Sequence, residues 1–278
     1  MQYRLGLRRF LSMRSGVLGL VVVGTFTLLA VIAPWISPWP PNTQDLMNTL
    51  APPSGEHLLG TDQLGRDLLS RIIFGARTSM GLGVVVVGIG LLAGTALGLT
   101  AGLAGRAVDA VVMRSVDMLM AFPSILLALA IVSALGPGLL NAMIAIGIAA
   151  TPRFVRIMRA SVLGVKPREF VEAARAVGAS ELRVALVHVL PNALAPVTVF
   201  ATLLMAEAVL TAAGLGFLGI GVQPPTAEWG AMLSEGRTYL RTAPHVVTLP
   251  GVAIMLMVLG FNLLGDGLRD ALDVRLSD

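Results

Sequence analysis

Long apolar runs alternate with short polar segments along this chain, and the length of each run predicts an element. A run of about 20 apolar residues is long enough to cross a bilayer as a helix. We predict six such helices, the third of which bends at Pro123 because proline cannot continue a regular helix. They cover residues 16–36, 80–103, 111–135, a stretch that begins at 139, 193–213 and 247–264. The fourth is the least defined, since only 139–151 is free of proline and charge. The pattern therefore indicates an all-α integral membrane protein.

The polar segments divide the chain into two regions. Residues 1–78 hold an N-terminal arm, the first span and an external loop, and residues 79–278 hold a core of five spans with a polar loop at 164–191. Within the external loop we predict an amphipathic helix on the outer membrane surface, capped by Thr61 or Asp62. Its apolar face is Leu64, Leu68, Leu69, Ile72 and Ile73, and its polar face is Arg66, Asp67 and Arg71. Calcium binding by Asp62 and Asp67 is less favoured, because two carboxylates alone make a poor calcium site.

The polar loop at 164–191 predicts two short helices joined at a glycine. Glu169 and Glu172 favour a helix N-terminus, where negative charge is stabilising. Gly178 can end that helix in the left-handed conformation, and Ser180 can cap the next helix. We therefore expect two short helices outside the membrane, the second of which runs toward Pro191.

The first of these two helices has side chains that suit contact with another protein. Ala173 and Ala174 have little bulk, so a partner's surface can come close to the helix backbone. Glu172 and Arg175 remain for polar contacts. We expect this helix to be held in a groove of a partner.

Composition and charge agree with a membrane location. Hydrophobic residues make up 55% of the 278 and charged residues 13%, and the mean hydropathy is +0.83. About three-quarters of the 20 basic residues fall on the side that this topology assigns to the cytoplasm, as the positive-inside rule expects. Both termini are therefore predicted to be cytoplasmic, and lipid is the expected surrounding. No polar domain gathers the arginines, so nucleic-acid binding is not expected.

Glycine recurs every four residues in the second predicted span. The four positions are Gly90, Gly94, Gly98 and Gly102. Small residues at this spacing let two helix backbones come close, which is a main source of helix association in lipid. We predict a helix-packing face, with a face that lines a lumen as the alternative.

Three ionisable residues are candidates for polar roles within the membrane. Arg114 and Asp117 are three residues apart and predict a local salt bridge rather than a substrate site. Glu207 lies inside the fifth span, where a carboxylate must face a cavity or a partner helix rather than lipid. It is a functional candidate, and a structural hydrogen bond to a neighbouring helix is an equal alternative.

The sequence shows no catalytic or nucleotide-binding motif. It lacks a phosphate-binding G-x-x-x-x-G-K-[ST] loop, so ATP hydrolysis by this chain is not expected. His57, His188 and His245 are scattered and form no metal-ligand pattern, and the chain has no cysteine. We expect no catalytic residue, no bound metal and no cofactor on this chain.

Four strings of residues resemble one family. Glu172-Ala173-Ala174, with Gly178 and Leu190-Pro191, is similar to the E-A-A…G…L-P loop of the membrane subunits of binding-protein-dependent ABC importers, although His188 replaces a usually aliphatic residue. The other strings are GTDQLGRDLLSRIIFGARTS, GFLGIGVQPPTAEWG and FNLLGDGLRDALD. Together they resemble the C-type permease subunit of dipeptide and oligopeptide importers, a group that includes nickel permeases. Val274 stands where members often have proline.

This resemblance implies a division of labour in a bacterial or archaeal cytoplasmic membrane. The chain would pair with a homologous permease, an extracytoplasmic binding protein would deliver substrate, and two ATPase subunits would bind ATP and Mg²⁺. The first helix of the polar loop would be a coupling helix that docks on an ATPase subunit. Its docking residues would be Glu169, Glu172, Ala173, Ala174, Arg175 and Gly178. Peptide is favoured over nickel as the substrate, because the spans hold no cluster of histidines or carboxylates.

Two functions of other classes remain open. A proton-coupled secondary transporter would use intramembrane carboxylates such as Asp117 and Glu207 and would need no ATPase. An intramembrane enzyme would need a paired nucleophile and base within the spans. Neither explains the polar loop, and co-purification with an ATPase would separate both from an importer.

Overall fold

The computed structural model describes residues 10–272, and in this part of the chain the secondary structure is helical apart from a single bridge between Thr61 and Asp67. The helices are α1 (Arg14–Ile36), α2 (Leu68–Leu103), α3 (Arg106–Met120), α4 (Ser124–Leu135), α5 (Leu139–Val165), α6 (Glu169–Ala176), α7 (Glu181–Phe217), α8 (Trp229–Gly236) and α9 (His245–Leu272). Predictions on residues 1–9 and 273–278, including Val274, lie outside the described residues.

Five helices are long and apolar enough to cross a membrane, in agreement with five of the six predicted spans. They are α1, α2, α5, α7 and α9. α3 and α4 meet instead at a bend of 88°, and they make a sixth span only if the bent pair is counted as one. Pro123 lies at this break, as predicted. The break is sharper than a proline kink because residues 121–123 leave the helix altogether.

The predicted surface helix of the external loop, with its cap at Thr61 or Asp62, is wrong. The segment forms a turn instead, in which the Asp62 carboxylate accepts the Leu64 N–H at 2.9 Å. The helix begins after Asp67, whose carboxylate accepts the Ser70 N–H at 2.7 Å as an N-cap. From there α2 continues without interruption into the second span. Asp62 does not start a helix because its carboxylate already closes the turn.

The last helix extends beyond the predicted sixth span, 247–264. α9 runs unbroken through Asp266 to Leu272. Close packing holds this stretch in place, since a Cβ added to Gly267 would lie 2.5 Å from the Cα of Gly16 in α1. The helix continues because a neighbouring helix covers it.

α5 is longer than the apolar run that predicted the fourth span. It continues through Pro152 to Val165. The charges that ended the predicted run, Arg153 and Arg156, are each paired with a carboxylate of another helix. Paired charges can lie within a span, where unpaired ones are costly.

The glycines of the four-residue repeat lie between α2 and α5. A Cβ added to Gly94 would lie 2.2 Å from the Cβ of Phe154, and one added to Gly98 would lie 2.7 Å from the Cβ of Met158. The same closeness holds at Gly90 and Gly102. The repeat thus marks the line along which the two helix backbones approach, and the alternative of a face that lines a lumen does not fit these contacts.

The main core lies between α1, α2, α5, α7 and α9, and α8 is attached to it by a tryptophan. Trp229 is fully buried and donates its indole N–H to the carbonyl of Ile72 at 3.1 Å. Its ring meets that of Phe26 edge-on, with 5.6 Å between the ring centroids. α8 is therefore fixed against both α1 and the start of α2.

Candidate functional site

The loop between α5 and α7 contains the short helix α6, which ends at a left-handed glycine. Gly178 has a φ of +83°, a conformation that residues with a Cβ rarely adopt. Its N–H donates to the carbonyl of Arg175 at 2.9 Å, and the N–H of Ala179 donates to the carbonyl of Ala174 at 3.1 Å. Ser180 caps the start of α7 by accepting the N–H of Arg183 at 3.4 Å. The sequence predicted this order of helix, glycine and helix, but the second helix is not short, because it continues through Pro191 into the fifth predicted span and ends at Phe217.

The two faces of α6 have different surroundings. Val171 and Ala174 are buried in the main core. Glu169, Glu172 and Ala173 are exposed on the opposite side. Successive residues of a helix point about 100° apart, so Ala173 and Ala174 cannot face the same partner. Ala174, which the sequence suggested as a docking residue, packs inside this chain instead.

Arg175 is occupied within the loop. Its guanidinium donates to the two carboxylate oxygens of Glu181 at 2.9 and 3.2 Å. These hydrogen bonds raise the pKa of Arg175. The bond crosses from α6 to α7 and so fixes the two helices to each other, a role that the sequence did not indicate.

Several large apolar side chains of the loop remain exposed. They are Phe170, Val177, Leu182, Leu186 and Val187. Val177, next to the left-handed glycine, is 85% exposed. Exposed apolar side chains grouped in one polar segment often mark a contact surface. Sequence reasoning missed them, although apolar residues at the tip of an otherwise polar loop are a readable signal.

α7 opens with a wide turn. Val184–Val189 is a π-helical segment, in which the Leu190 N–H donates to the carbonyl of Ala185. Pro191 follows directly, and in an α-helix its ring would clash with the carbonyl four residues earlier. The wider π turn relieves this conflict, and such segments are frequent at functional sites.

Three arginines of α5 form ion pairs with three carboxylates from other helices. The pairs are Arg153 with Glu207 of α7, Arg156 with Asp117 of α3, and Arg159 with Asp109 of α3. The arginines follow one another at intervals of three residues, so they lie along one side of α5. α5 is thereby linked to the broken segment α3 and to α7.

The predicted pair between Arg114 and Asp117 is wrong. Asp117 accepts instead from Arg156 at 2.6 Å. Arg114 is exposed and makes no ion pair among residues 10–272. The Arg156 guanidinium reaches Asp117 from the helix packed beside α3, which a short spacing along one helix cannot reveal.

Glu207 makes an interhelical ion pair and also faces a cavity. It accepts two hydrogen bonds from Arg153, one of them at 2.6 Å. Both side chains line an open cavity of about 320 Å³ beside the break between α3 and α4. The structure therefore contains the hydrogen bond to a neighbouring helix, and the functional role of Glu207 stays a prediction.

A buried charge network fixes the segment before α2. Arg66, predicted on a solvated face, is only 1% exposed and donates to Asp62 and Glu235, each at 2.6 Å. Arg71 is equally buried and lies 3.3 Å from the same Asp62 carboxylate. Because Glu235 belongs to α8, the network connects the external loop to that helix. Among residues 10–272 no three His, Cys, Asp or Glu side chains are grouped to hold a metal.

The helix arrangement is that of membrane subunits of ABC transporters. The inward-facing MetNI methionine ABC transporter matches with a TM-score of 0.60 over 73% of this chain and 97% of that one, at 20% identity. An amino acid ABC transporter crystallised with histidines matches with a TM-score of 0.56 over 73% and 94%, at 18% identity. At these low sequence identities, the structural similarity establishes the fold alone.

Sequence comparisons define the family within this class. The model of the binding-protein-dependent transport system inner membrane component matches residues 94–278, and that of the N-terminal TM domain of oligopeptide transport permease C matches residues 2–53. The di/tripeptide transport system permease protein DppC of Pseudomonas aeruginosa is 50% identical over 94% of this chain and 88% of its own. The dipeptide permease DppC of Alkalihalophilus pseudofirmus is 48% identical over 95% and 86%.

The chain therefore belongs to the binding-protein-dependent transport permeases, as a C-type permease of peptide ABC importers. The resemblance read from its four strings is confirmed. It is a multi-pass protein of the bacterial inner membrane and a permease subunit rather than an enzyme.

Proposed function

We propose that this chain forms half of the translocation pathway of an ATP-driven importer of di- and oligopeptides. The observation that carries this proposal is the near 50% identity, over almost the whole chain, to permeases of dipeptide and di/tripeptide transport systems. A homologous permease would form the other half as a heterodimer. An extracytoplasmic binding protein would deliver the peptide, and two ATPase subunits would bind ATP and Mg²⁺.

The loop at 164–191 is the coupling element of this proposal and lies, with both termini, on the cytoplasmic side. The exposed side of α6 presents Glu169, Glu172 and Ala173 for an ATPase groove. Phe170 and Val177 flank this side with apolar surface. The buried side, with Val171 and Ala174, is anchored in the permease core. A helix held on one side and free on the other can pass a push from a partner into the membrane helices.

Three contacts would transmit a movement of α6 to the membrane helices. The Arg175–Glu181 pair joins α6 to α7. α6 also packs on the π segment at the start of α7, in which Val184 and Val189 are fully buried. At the other end of the loop, the Lys166 ammonium donates to the carbonyl of Gly102, the penultimate residue of the α2 segment, at 3.2 Å. Movement of α6 would therefore reach α2, α5 and α7 together.

Replacement of Glu172 by alanine tests the docking surface. Glu172 is exposed and makes no hydrogen bond or ion pair in the described part of the chain, where its charge only attracts that of Arg175, so Glu172→Ala should leave the fold unchanged and weaken ATPase docking. A lost charged hydrogen bond predicts about tenfold weaker association. The matched control is Glu56→Ala, which removes an exposed carboxylate from the external loop. Equal ATPase retention by both variants on co-purification would contradict the docking role.

Gly178 tests the coupling geometry separately. A valine there is strained at φ +83°, so Gly178→Val should uncouple peptide-stimulated ATP hydrolysis or disassemble the complex. Gly164→Val is the control, because Gly164 lies in α5 with nothing within 4 Å of an added Cβ. Unchanged uptake and ATPase activity in Gly178→Val would show that the loop does not couple ATP hydrolysis to transport.

No observation favours a nickel permease or a proton-coupled transporter. Asp117 and Glu207, the carboxylates that proton coupling would use, are both held in ion pairs with arginines of α5. The relatives described above are named for di- and tripeptides.

A further inference from the structure

The ion pair between Arg153 and Glu207 lies deep within the spans and is open on one side. Arg153 is 14 residues from the start of α5, or about 21 Å along the helix, and Glu207 is 10 residues from the end of α7, or about 15 Å. Both side chains are therefore far from these ends of their helices. Their side chains are nonetheless 29% and 42% exposed. Exposed charge at this depth is tolerated where it faces water or protein, and not lipid.

The exposed side of this pair faces the cavity at the break between α3 and α4. Phe122 and Ser124 line it from the break, and Arg153 and Glu207 line it from α5 and α7. Its volume of about 320 Å³ lies within the range of small-molecule sites, about 300–1,000 Å³. The neighbouring pair of Arg156 and Asp117 does not line this cavity.

The pair has hydrogen-bonding capacity left over. Arg153 carries five N–H donors and makes two hydrogen bonds, both to Glu207. A carboxylate offers about four acceptor positions, of which these two bonds use two. Neither side chain makes another hydrogen bond within residues 10–272. A molecule bound in the cavity could therefore accept hydrogen bonds from the Arg153 guanidinium and donate hydrogen bonds to the adjacent Glu207 carboxylate.

We propose that Arg153 and Glu207 form a transit site for the main-chain ends of a peptide. The α-carboxylate of the peptide accepts hydrogen bonds from Arg153, and the α-ammonium donates to Glu207. This inference rests on the proposed importer function. The pair is neutral overall, as a zwitterionic peptide is, so passage changes no net charge in the cavity. Each end of the peptide competes with an ion pair already formed, which keeps the binding weak enough for release.

The test compares three peptides in proteoliposomes that hold the whole importer, with the binding protein and ATP supplied. The peptides are a dipeptide, its N-acetyl form and its C-terminal amide, all chosen to bind the delivering protein. Because that protein is the same in every assay, a change in the ratio of two uptake rates belongs to the permease. Glu207→Gln should lower uptake of the free dipeptide about tenfold, the effect of one lost charged hydrogen bond, and leave the N-acetyl form unchanged. Arg153→Gln should likewise lower uptake of the free dipeptide about tenfold, and it should leave uptake of the C-terminal amide unchanged.

The adjacent ion pair supplies the matched control. Arg156→Gln and Asp117→Asn break a pair on the same helix face that lies off the cavity, so they should change all three uptake rates by one common factor. Variant complexes are first checked for wild-type yield of bound ATPase, and Arg153→Lys and Glu207→Asp replace any variant that does not assemble. Equal effects of Glu207→Gln on all three peptides would overturn the transit site. Absence of ATP-dependent uptake by the wild type would instead overturn the proposed function.

Discussion

At the scale of single residues, Gly94 limits how closely α2 and α5 approach. A Cβ there would lie 2.2 Å from the Phe154 Cβ and 3.1 Å from the Val155 nitrogen, so Gly94→Ala must push the two helices apart. Overpacking of this kind costs about 1–3 kcal/mol. Gly88→Ala on the same helix is the control, because an added Cβ at Gly88 has nothing within 4 Å. Thermal unfolding in detergent should show a lower midpoint for Gly94→Ala alone, and equal midpoints would contradict this packing.

Glu228 makes the stability of the fold depend on pH. Its carboxylate is buried and accepts the N–H groups of Gly230 at 2.9 Å and Ala231 at 2.8 Å. Burial raises the pKa of Glu228 above the ordinary 4.5, and the two backbone hydrogen bonds offset part of that shift. Because the folded-state pKa is the higher one, the stabilisation is complete below 4.5 and is lost as pH rises through the raised pKa.

Glu228→Gln isolates this effect, because glutamine, like a protonated glutamate, has one acceptor oxygen for these N–H groups, and it does not titrate. The unfolding midpoint of the wild type should fall, relative to that of the variant, as pH rises above 4.5. The measurement is thermal unfolding of both proteins at a series of pH values. Parallel curves over the whole series would show that burial of Glu228 has no such effect.

At the scale of elements, buried charge attaches the segment before α2 to α8. Asp62→Ala would leave the buried Arg66 and Arg71 with Glu235 as their one remaining carboxylate. Removal of one member of a buried ion pair costs about 3–5 kcal/mol. The exposed Glu56→Ala, also in the external loop, should cost almost nothing. Chemical unfolding of the two variants in detergent compares them, and similar stabilities would mean that the network does not hold this segment.

The elements show which physical signals the sequence carries. Run length predicted the spans because bilayer thickness sets the number of apolar residues needed. It could not predict where α2 begins, since Asp62 and Asp67 are equally good caps and only the turn around Asp62 decides between them. Nor could it predict the partner of Asp117, which lies on another helix.

In the candidate site, too, the sequence predicted the local features and missed those that depend on distant residues. The E-A-A string and Gly178 located the loop because they are local signals of helix and turn. The inward position of Ala174 depends on the core beneath α6, which no local pattern contains. Burial of Arg66 was missed for a related reason, since an arginine in a polar segment is usually solvated unless distant carboxylates reach it.

At the scale of the whole molecule, the central claim is that ATP drives peptides through a pathway of which this chain forms half. Uptake of a labelled dipeptide tests it most directly. The permease pair and its ATPases would be reconstituted in liposomes, with ATP on the ATPase side and peptide-loaded binding protein on the other. Each assay would be repeated with a proton ionophore that collapses any pH gradient.

The account predicts uptake that requires ATP and the binding protein, that is weakened by Glu172→Ala, and that the ionophore leaves unchanged. Uptake without ATP that the ionophore abolishes would contradict it and would favour proton coupling through a carboxylate such as Glu207.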